Sequence, residues 1–475
     1  MRTKYHPLFL ALLLPYTVLS QIQLTQEQVL EDYTILKNVL VKGHPSLYDY
    51  TSKTEWDSLF VNFEKEKIKT VRSNNDFYKK VIELTDYVRD GHLIIMRPQL
   101  DSIPNLFPIW LKIINKKLYT DTDDFNIPVG SEIISIDEIK GTELRERFLK
   151  YVPSDGFNTT KKDRQIEREF GILHFYEFGT KPTYKVEYKT PNNQVITKTI
   201  KSQSFESIGK RFSKRNSHFA KNALSKKEPF VRYIDSLNAA VLTLNTFGLN
   251  QGKFQSELKE IFKKIKRKRI KQLVIDIRQN DGGYPENSNY TFSYIAKKAF
   301  IQPKSQHVIT SKLPHKEHSQ EIINGYTYKS FFEKYFRNGS KTESEWVIYS
   351  PENKGSMVPR KKRFEGQVYV LIGGNTFSAG STFALNCKNQ GITLIGEETG
   401  GGYYSQTGGY PVVYTLPNSK IKMMMSFVKA KKHIKDKTVK KGTGVMPDIE
   451  IKLTTQDLIE LRDRQLIYAL KQIKK

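Results

Sequence analysis

Between residues 22 and 90 the apolar positions fall at helical spacing. Leu30, Tyr33, Leu36 and Leu40 line one stripe, and Phe77, Val81, Leu84 and Val88 line another. Recurrence at three and four residues places such side chains on one buried face of a helix. Trp56, Leu59, Phe60 and Phe63 predict a further helix between these two, and His44-Pro45 closes the first, because the residue before proline is driven out of the helical region. Residues 21–98 are therefore expected to form an N-terminal helical region.

The period then shortens. Phe107–Ile114 and Lys117–Thr120 predict a hairpin, and Pro128–Asp137 predicts a strand ending in a tight turn before a helix near Thr142–Tyr151. Turn, strand, tight turn and helix in this order resemble part of a PDZ domain, with Asp137-Glu138 at a position commonly Asn-Gly. Residues 99–155 are thus expected to form a reduced PDZ-like unit. Residues 156–228 are polar and basic, with alternation at Thr183–Tyr188 and Val195–Ile200, and are expected to be a connector with short strands. From residue 229 strands and helices alternate: Ala239–Leu244, Leu273–Ile277, Val368–Ile372 and Ile392–Ile395 predict buried strands, while Phe254–Ile265 and Ser378–Asn389 predict helices. Such alternation predicts an α/β layer with a largely parallel sheet and loops at the strand ends.

A chain of 475 residues is too long for one ordinary core, and two to four domains are expected. Its 38% hydrophobic and 12% aromatic content excludes wholesale disorder. Residues 1–20 read as a cleavable export signal: Arg2 and Lys4 precede the apolar Leu8–Leu14, and Val18 and Ser20 precede a cut before Gln21. The apolar run is shorter than the ~20 residues a membrane span requires, and no cysteine lies near the cut to carry a lipid anchor. The single cysteine, Cys387, allows no intrachain disulfide and sits in an apolar helical stretch as a packing residue. In an exported chain this points to a bacterial periplasmic or extracellular protein.

Lys and Arg number 77 against 50 Asp and Glu, a net charge of +27. The basic residues are scattered, and the cluster Lys263–Lys271 follows an amphipathic helix as a solvated face. Nucleic acid is therefore not expected as a partner, whereas weak association with an anionic envelope surface is. Cys pairs and His-x-x-x-His spacings are absent from the sequence, so neither a metal nor another cofactor is expected.

Two segments carry candidate chemistry. In Gly373–Asn389 a strand ends in Gly373-Gly374, and Asn375-Thr376-Phe377-Ser378-Ala379-Gly380-Ser381 opens a helix. A serine at that point exposes its hydroxyl beside unpaired backbone N–H groups, which together with the helix dipole favour an anion. The same pattern also suits Thr376 or Ser378 as a simple helix cap. The second segment, Asp276-Ile277-Arg278-Gln279-Asn280-Asp281-Gly282-Gly283, ends a strand in paired glycines whose N–H groups could meet a ligand closely, or simply make a turn.

Taken in order, Asp-Ile-Arg-x-Asn-x-Gly-Gly, Thr-x-Ser-Ala, Gly-Glu-x-Thr-x-Gly-Gly and Gly442-x-Gly444-Val445-x-Pro447-Asp448 resemble the S41 family of serine peptidases over residues 229–455. That family includes carboxy-terminal processing (tail-specific) proteases and tricorn core proteases. The resemblance implies a ClpP/crotonase-like ββα spiral peptidase core over residues 229–475. It also implies polypeptide substrates, Ser378 as nucleophile, and an oxyanion hole from the N–H groups of Ala379 and Gly282, with Gly283 as alternate. The processing branch places a lysine base twenty-five residues beyond the serine, where this chain has Tyr403. The tricorn-like branch uses a histidine from earlier in the chain, and Asp90-Gly91-His92 resembles its Asp-Gly-His turn. His92 is therefore the expected general base, with His44 as a rival better suited to packing or capping. The carboxylate that orients the histidine is expected at Asp436, with Glu397 and Glu398 as alternatives, while Asp448 reads as structural. The function this implies is an exported serine endopeptidase working through an acyl-enzyme; a non-catalytic binding module on the same core is the alternative.

Overall fold

The computed structural model describes residues 22–100, 102–215, 226–321, 327–350 and 357–473; the export signal expected in residues 1–20 lies outside them. Three N-terminal helices, Gln26–Gly43, Lys53–Asn62 and Asn74–Thr85, each begin at a capping box, formed by Thr25 with Gln28, Ser52 with Glu55, and Ser73 with Asp76. The reciprocal bonds satisfy two otherwise orphaned N–H groups per helix. Their apolar faces meet in one core containing Leu36, Trp56 and Val81.

The same core reaches far along the chain. It includes Val412, Tyr414, Met423 and Met425 from an antiparallel hairpin, Pro411–Thr415 with Lys422–Ser426, and Phe427 just beyond it. The short strand Ile94–Ile95 pairs with that hairpin, Ile94 opposite Met424 and Ile95 opposite Met423. The segment carrying His92 is thereby stitched to residues more than three hundred positions later.

A second antiparallel sheet is built from Leu111–Ile114, Lys117–Thr120, Glu132–Ile136, Thr183–Lys189 and Val195–Lys201, with Ile139–Lys140 turning back on the third strand. Asp137 and Glu138 take φ values of 49° and 71°, the left-handed pair that a two-residue hairpin demands. The expected boundary at residue 156 falls inside this unit, because Ile133 and Ile136 pair with Tyr188 and Val186. The stretch read as a connector also contains a helix, Thr160–Phe178, with Ile166, Phe170 and Leu173 buried. Its charged residues obscured a three- and four-residue apolar stripe.

The α/β layer has the strand order Ile449–Glu450, Thr393–Gly396, Gln367–Ile372, Gln272–Asp276, Ala239–Thr243, Phe230–Ile234. All neighbours are parallel except the last pair. One face packs Phe254 and Leu258, Phe292 and Phe383 from three helices. The opposite face, with Val274 and Leu371, packs on Ala469 and Leu466 of the helix Arg464–Ile473. Burial on both faces explains why these strands read as continuous apolar runs. Beside it a five-stranded sheet places Lys429–Lys431 between Ser305–Val308 and the edge strand Ser405–Thr407. Among the described residues no helix is long and apolar enough to cross a membrane.

Candidate active site

The strand Gln367–Ile372 runs into the turn that presents Ser378, and the helix Ala379–Asn389 follows immediately. Ser378 has φ 52° and ψ −119°, and its side chain makes no capping hydrogen bond. A non-glycine residue held there is strained and requires surrounding structure to keep it. Thr376, the other capping candidate, donates from Oγ1 to Ile277 O at 2.8 Å and accepts from Gly373 N–H at 3.1 Å. Both capping alternatives are thus unfilled: Thr376 braces the turn, and the Ser378 hydroxyl points elsewhere.

It points to His92. Nε2 of His92 lies 3.1 Å from Ser378 Oγ. The imidazole also packs on Phe377, ring centroids 4.6 Å apart. Gly91 permits this approach, since a Cβ there would stand 2.6 Å from the Phe377 ring. Burial lowers the basicity of the ring; Asp155 and Asp90 oppose that effect, while Lys161 and Lys432 add to it. The imidazole is consequently held neutral below the usual histidine range.

Two buried carboxylates frame the histidine. Asp90 Oδ1 accepts from the His92 backbone N–H at 2.8 Å and stands 3.8 Å from His92 Nδ1, which has no hydrogen-bond partner among the described residues. Oδ2 of Asp90 lies 2.8 Å from His44 Nε2, and Thr407 Oγ1 lies within 2.8 Å of both oxygens. Burial alone would raise the Asp90 carboxyl, but the hydrogen bond from His44, with His92 beside it, holds it below the usual carboxylate range. Asp155 accepts from Gly91 N–H on Oδ1 and from Gly402 N–H on Oδ2, both at 2.8 Å. It clips the turn of His92 to the loop beyond the Ser378 helix, and burial raises its carboxyl above the ordinary value.

Asp90, His92 and Asp155 each bring a ligand-capable atom within 4.8 Å of the others, as a metal site would. The carboxylates, however, are taken by N–H and O–H donors, and the chemistry of the group is that of a hydrogen-bonded clamp.

The remaining candidates stand as follows. Ala379 heads its helix against Ser378, with Gly282 on the other side: a Cβ on Gly282 would meet Ser378 Cβ at 2.6 Å and Ala379 N at 3.1 Å. The Gly282 N–H donates to Asn280 Oδ1 at 3.0 Å, so this expected oxyanion donor is occupied in the resting site. Gly283, with φ 124°, packs on the backbone of Phe247 and Gly248. Asp436 is not brought to His92: it is exposed, and its Oδ1 caps Thr438 N–H and Oγ1–H at 2.8 and 2.6 Å. Glu398 accepts from Gly444 N–H at 2.6 Å, Glu397 lies 3.6 Å from Arg164 Nε, and Asp448 binds Lys388 and Leu394 N–H. Tyr403 is buried and donates to the Asp436 carbonyl at 3.1 Å. Cys387 is buried, which drives its thiol far above its usual range.

Sequence reasoning did not find Asp155, Thr407, Lys161 or Lys432. Lys432 Nζ donates to Gly402 O at 2.7 Å, Lys161 Nζ donates to Pro153 O at 2.8 Å and stands 3.8 Å over the Phe377 ring, and burial pushes both ammonium groups down to about 8. None of the four has a local motif; only the tertiary fold brings them together.

Residues 238–451 match the model of peptidase family S41. The matched stretch contains Ser378 and almost all of the parallel sheet but stops far short of His92. The structure of mature CPAF complexed with lactacystin is similar at a TM-score of 0.67 and 14% identity, over 94% of this chain and 98% of that one. A crystal structure of mature CPAF gives a TM-score of 0.67 at 15% identity, over 94% and 97%. At such identity the likeness is one of fold. No curated protein matches the chain. The family match thus covers the parallel-sheet half of the chain, and the shared fold extends over nearly all of it.

Proposed function

We propose that the protein is an exported serine endopeptidase of the histidine-using kind, hydrolysing peptide bonds through an acyl-enzyme at Ser378. The observation that carries this reading is the 3.1 Å contact between His92 Nε2 and a Ser378 hydroxyl that caps nothing. His92 takes the Ser378 proton on Nε2 as Oγ attacks the substrate carbonyl carbon. The imidazolium then returns the proton to the leaving amine, and water repeats the sequence to release the acyl group. A strained turn that exposes the serine at a helix start is the arrangement such a nucleophile needs.

Asp90, rather than Asp436, orients the imidazole, because it already binds the His92 N–H and faces Nδ1. Hydrogen bonds of this kind are often long in a free enzyme and shorten in the substrate complex. Ala379 N–H and the helix start stabilise the oxyanion. Gly282 joins them when its N–H is shared away from Asn280. The PDZ-like unit, whose strand Val195–Lys201 is an edge strand among the described residues, suits addition of a substrate strand. Export and cleavage before Gln21 belong to the same reading.

A serine-reactive fluorophosphonate tests it. Labelling of the full mature chain is expected at Ser378, lost in Ser378→Ala and strongly slowed in His92→Ala. Absence of labelling in the folded wild type would instead leave a binding module on the same core.

A further inference from the structure

His44 was expected to pack or to cap, and it does follow the helix Gln26–Gly43, its N–H donating to Leu40 O at 3.0 Å. Its ring, however, is spent on polar contacts. The side chain is 0% exposed and its Nε2 lies 2.8 Å from Asp90 Oδ2, itself 3% exposed. The other ring nitrogen, Nδ1, accepts from the Ser46 backbone N–H at 3.2 Å. A nitrogen that accepts from an amide carries no proton, so the ring proton resides on Nε2 and is donated to Asp90. The backbone of the His-Pro-Ser turn therefore selects the tautomer.

Asp90 is thereby fixed from three directions: His44 Nε2–H and the Thr407 hydroxyl from two separate elements, and the N–H of His92 from its own turn. With Oδ2 anchored, Oδ1 is left facing His92 Nδ1. A buried carboxylate deprived of one donor either turns to recover it or presents a less neutralised charge to its neighbours. Either response reaches the histidine that contacts Ser378.

We infer that His44 is a positioning residue for His92, acting as a neutral Nε2–H donor that anchors Asp90. The inference rests on the reading of His92 as general base. His44 does not touch the reacting atoms; it sets how the carboxylate meets the imidazole. The other charged groups facing His92 are Asp155, Lys161 and Lys432, and they are left untouched by changes at residue 44.

Two substitutions in the full mature chain separate the donor from the ring. His44→Phe keeps an aromatic ring and removes the donor, whereas His44→Gln keeps an N–H near the position of Nε2. The rate of fluorophosphonate labelling of Ser378 is followed against pH, with thermal melting to confirm folding. In His44→Phe labelling is expected to slow at least about tenfold, as small misplacements at such sites do. Its acid limb should move to higher pH, because a less neutralised Asp90 favours the imidazolium. His44→Gln is expected to restore both rate and limb.

A folded His44→Phe with wild-type rate and acid limb would overturn the inference, as would a His44→Gln as impaired as the phenylalanine variant. Nitrogen NMR of the wild type gives an independent reading: His44 is expected as the Nε2–H tautomer, and the Nδ1–H form would overturn the inference. Failure of the base reading looks different, since labelling would then survive His92→Ala undiminished.

Discussion

Ser378 and His92 meet at 3.1 Å but are held by opposite means. The serine is fixed from within the parallel-sheet layer, by its own helix and by the end of the adjacent strand. Thr376 ties the turn to Ile277, Phe377 N–H reaches Asn280 O, and the helix that follows locks the backbone within a few residues. The histidine is fixed almost entirely by strangers. Asp155 holds Gly91, Thr407 and His44 hold Asp90, and the strand after His92 leans on Met423 and Met424. One half of the site is thus built inside a single layer around one turn, and the other is a product of the whole fold.

That contrast can be broken experimentally, starting with the local half. Ser378→Ala is expected to reduce peptide hydrolysis by about 10⁴-fold or more while leaving melting nearly unchanged, as loss of a nucleophile does in comparable enzymes; a steady-state assay with calorimetry checks both. Asp90→Asn is the next largest change. It removes the charge opposite Nδ1 and should lower kcat by about 10²- to 10⁴-fold, with substrate affinity little affected; equal losses in kcat and in binding would deny it an orienting role. Asp155→Ala cuts the clip between Gly91 and Gly402, and about a 10- to 10²-fold loss is expected from misplacement alone. Unlike the serine variant it should also lower the melting temperature, because two buried N–H groups lose their acceptor.

The smaller effects concern pH. A general base works in its neutral form, so on the proposed reading activity is expected to fall as pH drops through the pKa of His92. Burial lowers that value, which places the acid limb of kcat/KM below the ordinary histidine value of about 6.5. Lys432→Met removes a positive charge that depresses His92. The acid limb should then rise slightly, and a downward move would show that Lys432 acts through the Gly402 carbonyl instead.

The same division governs how much could be read from the chain. The parallel strands were visible as apolar runs because each is buried on both faces, and the observed Gln367–Ile372 and Thr393–Gly396 differ from expectation only at their ends. Ser378 was visible because turn, serine and helix are contiguous. His92 became visible only through its resemblance to an Asp-Gly-His turn. Sequence position pointed to Asp436 as the orienting carboxylate, but that residue lies in solvent, and Asp90, two residues before the histidine, is the carboxylate bound to the His92 backbone N–H. Asp155 lies at the end of a unit that looked separate, so nothing nearby hinted that its oxygens would be shared between Gly91 and Gly402. The helix Thr160–Phe178 was missed because Lys, Arg and Glu dominate its exposed sides.

The hairpin Pro411–Ser426 has a consequence for the order of events in biosynthesis. It completes the core beneath the N-terminal helices and supplies the partner of Ile94–Ile95, yet the ribosome makes it after residue 378. At synthesis rates of about 5–20 residues per second, the elbow of Ser378 is extruded seconds before the floor that seats His92. A nascent chain therefore carries Ser378 before His92 can be seated beside it, and their contact forms only when this late hairpin has folded back onto the N-terminal region.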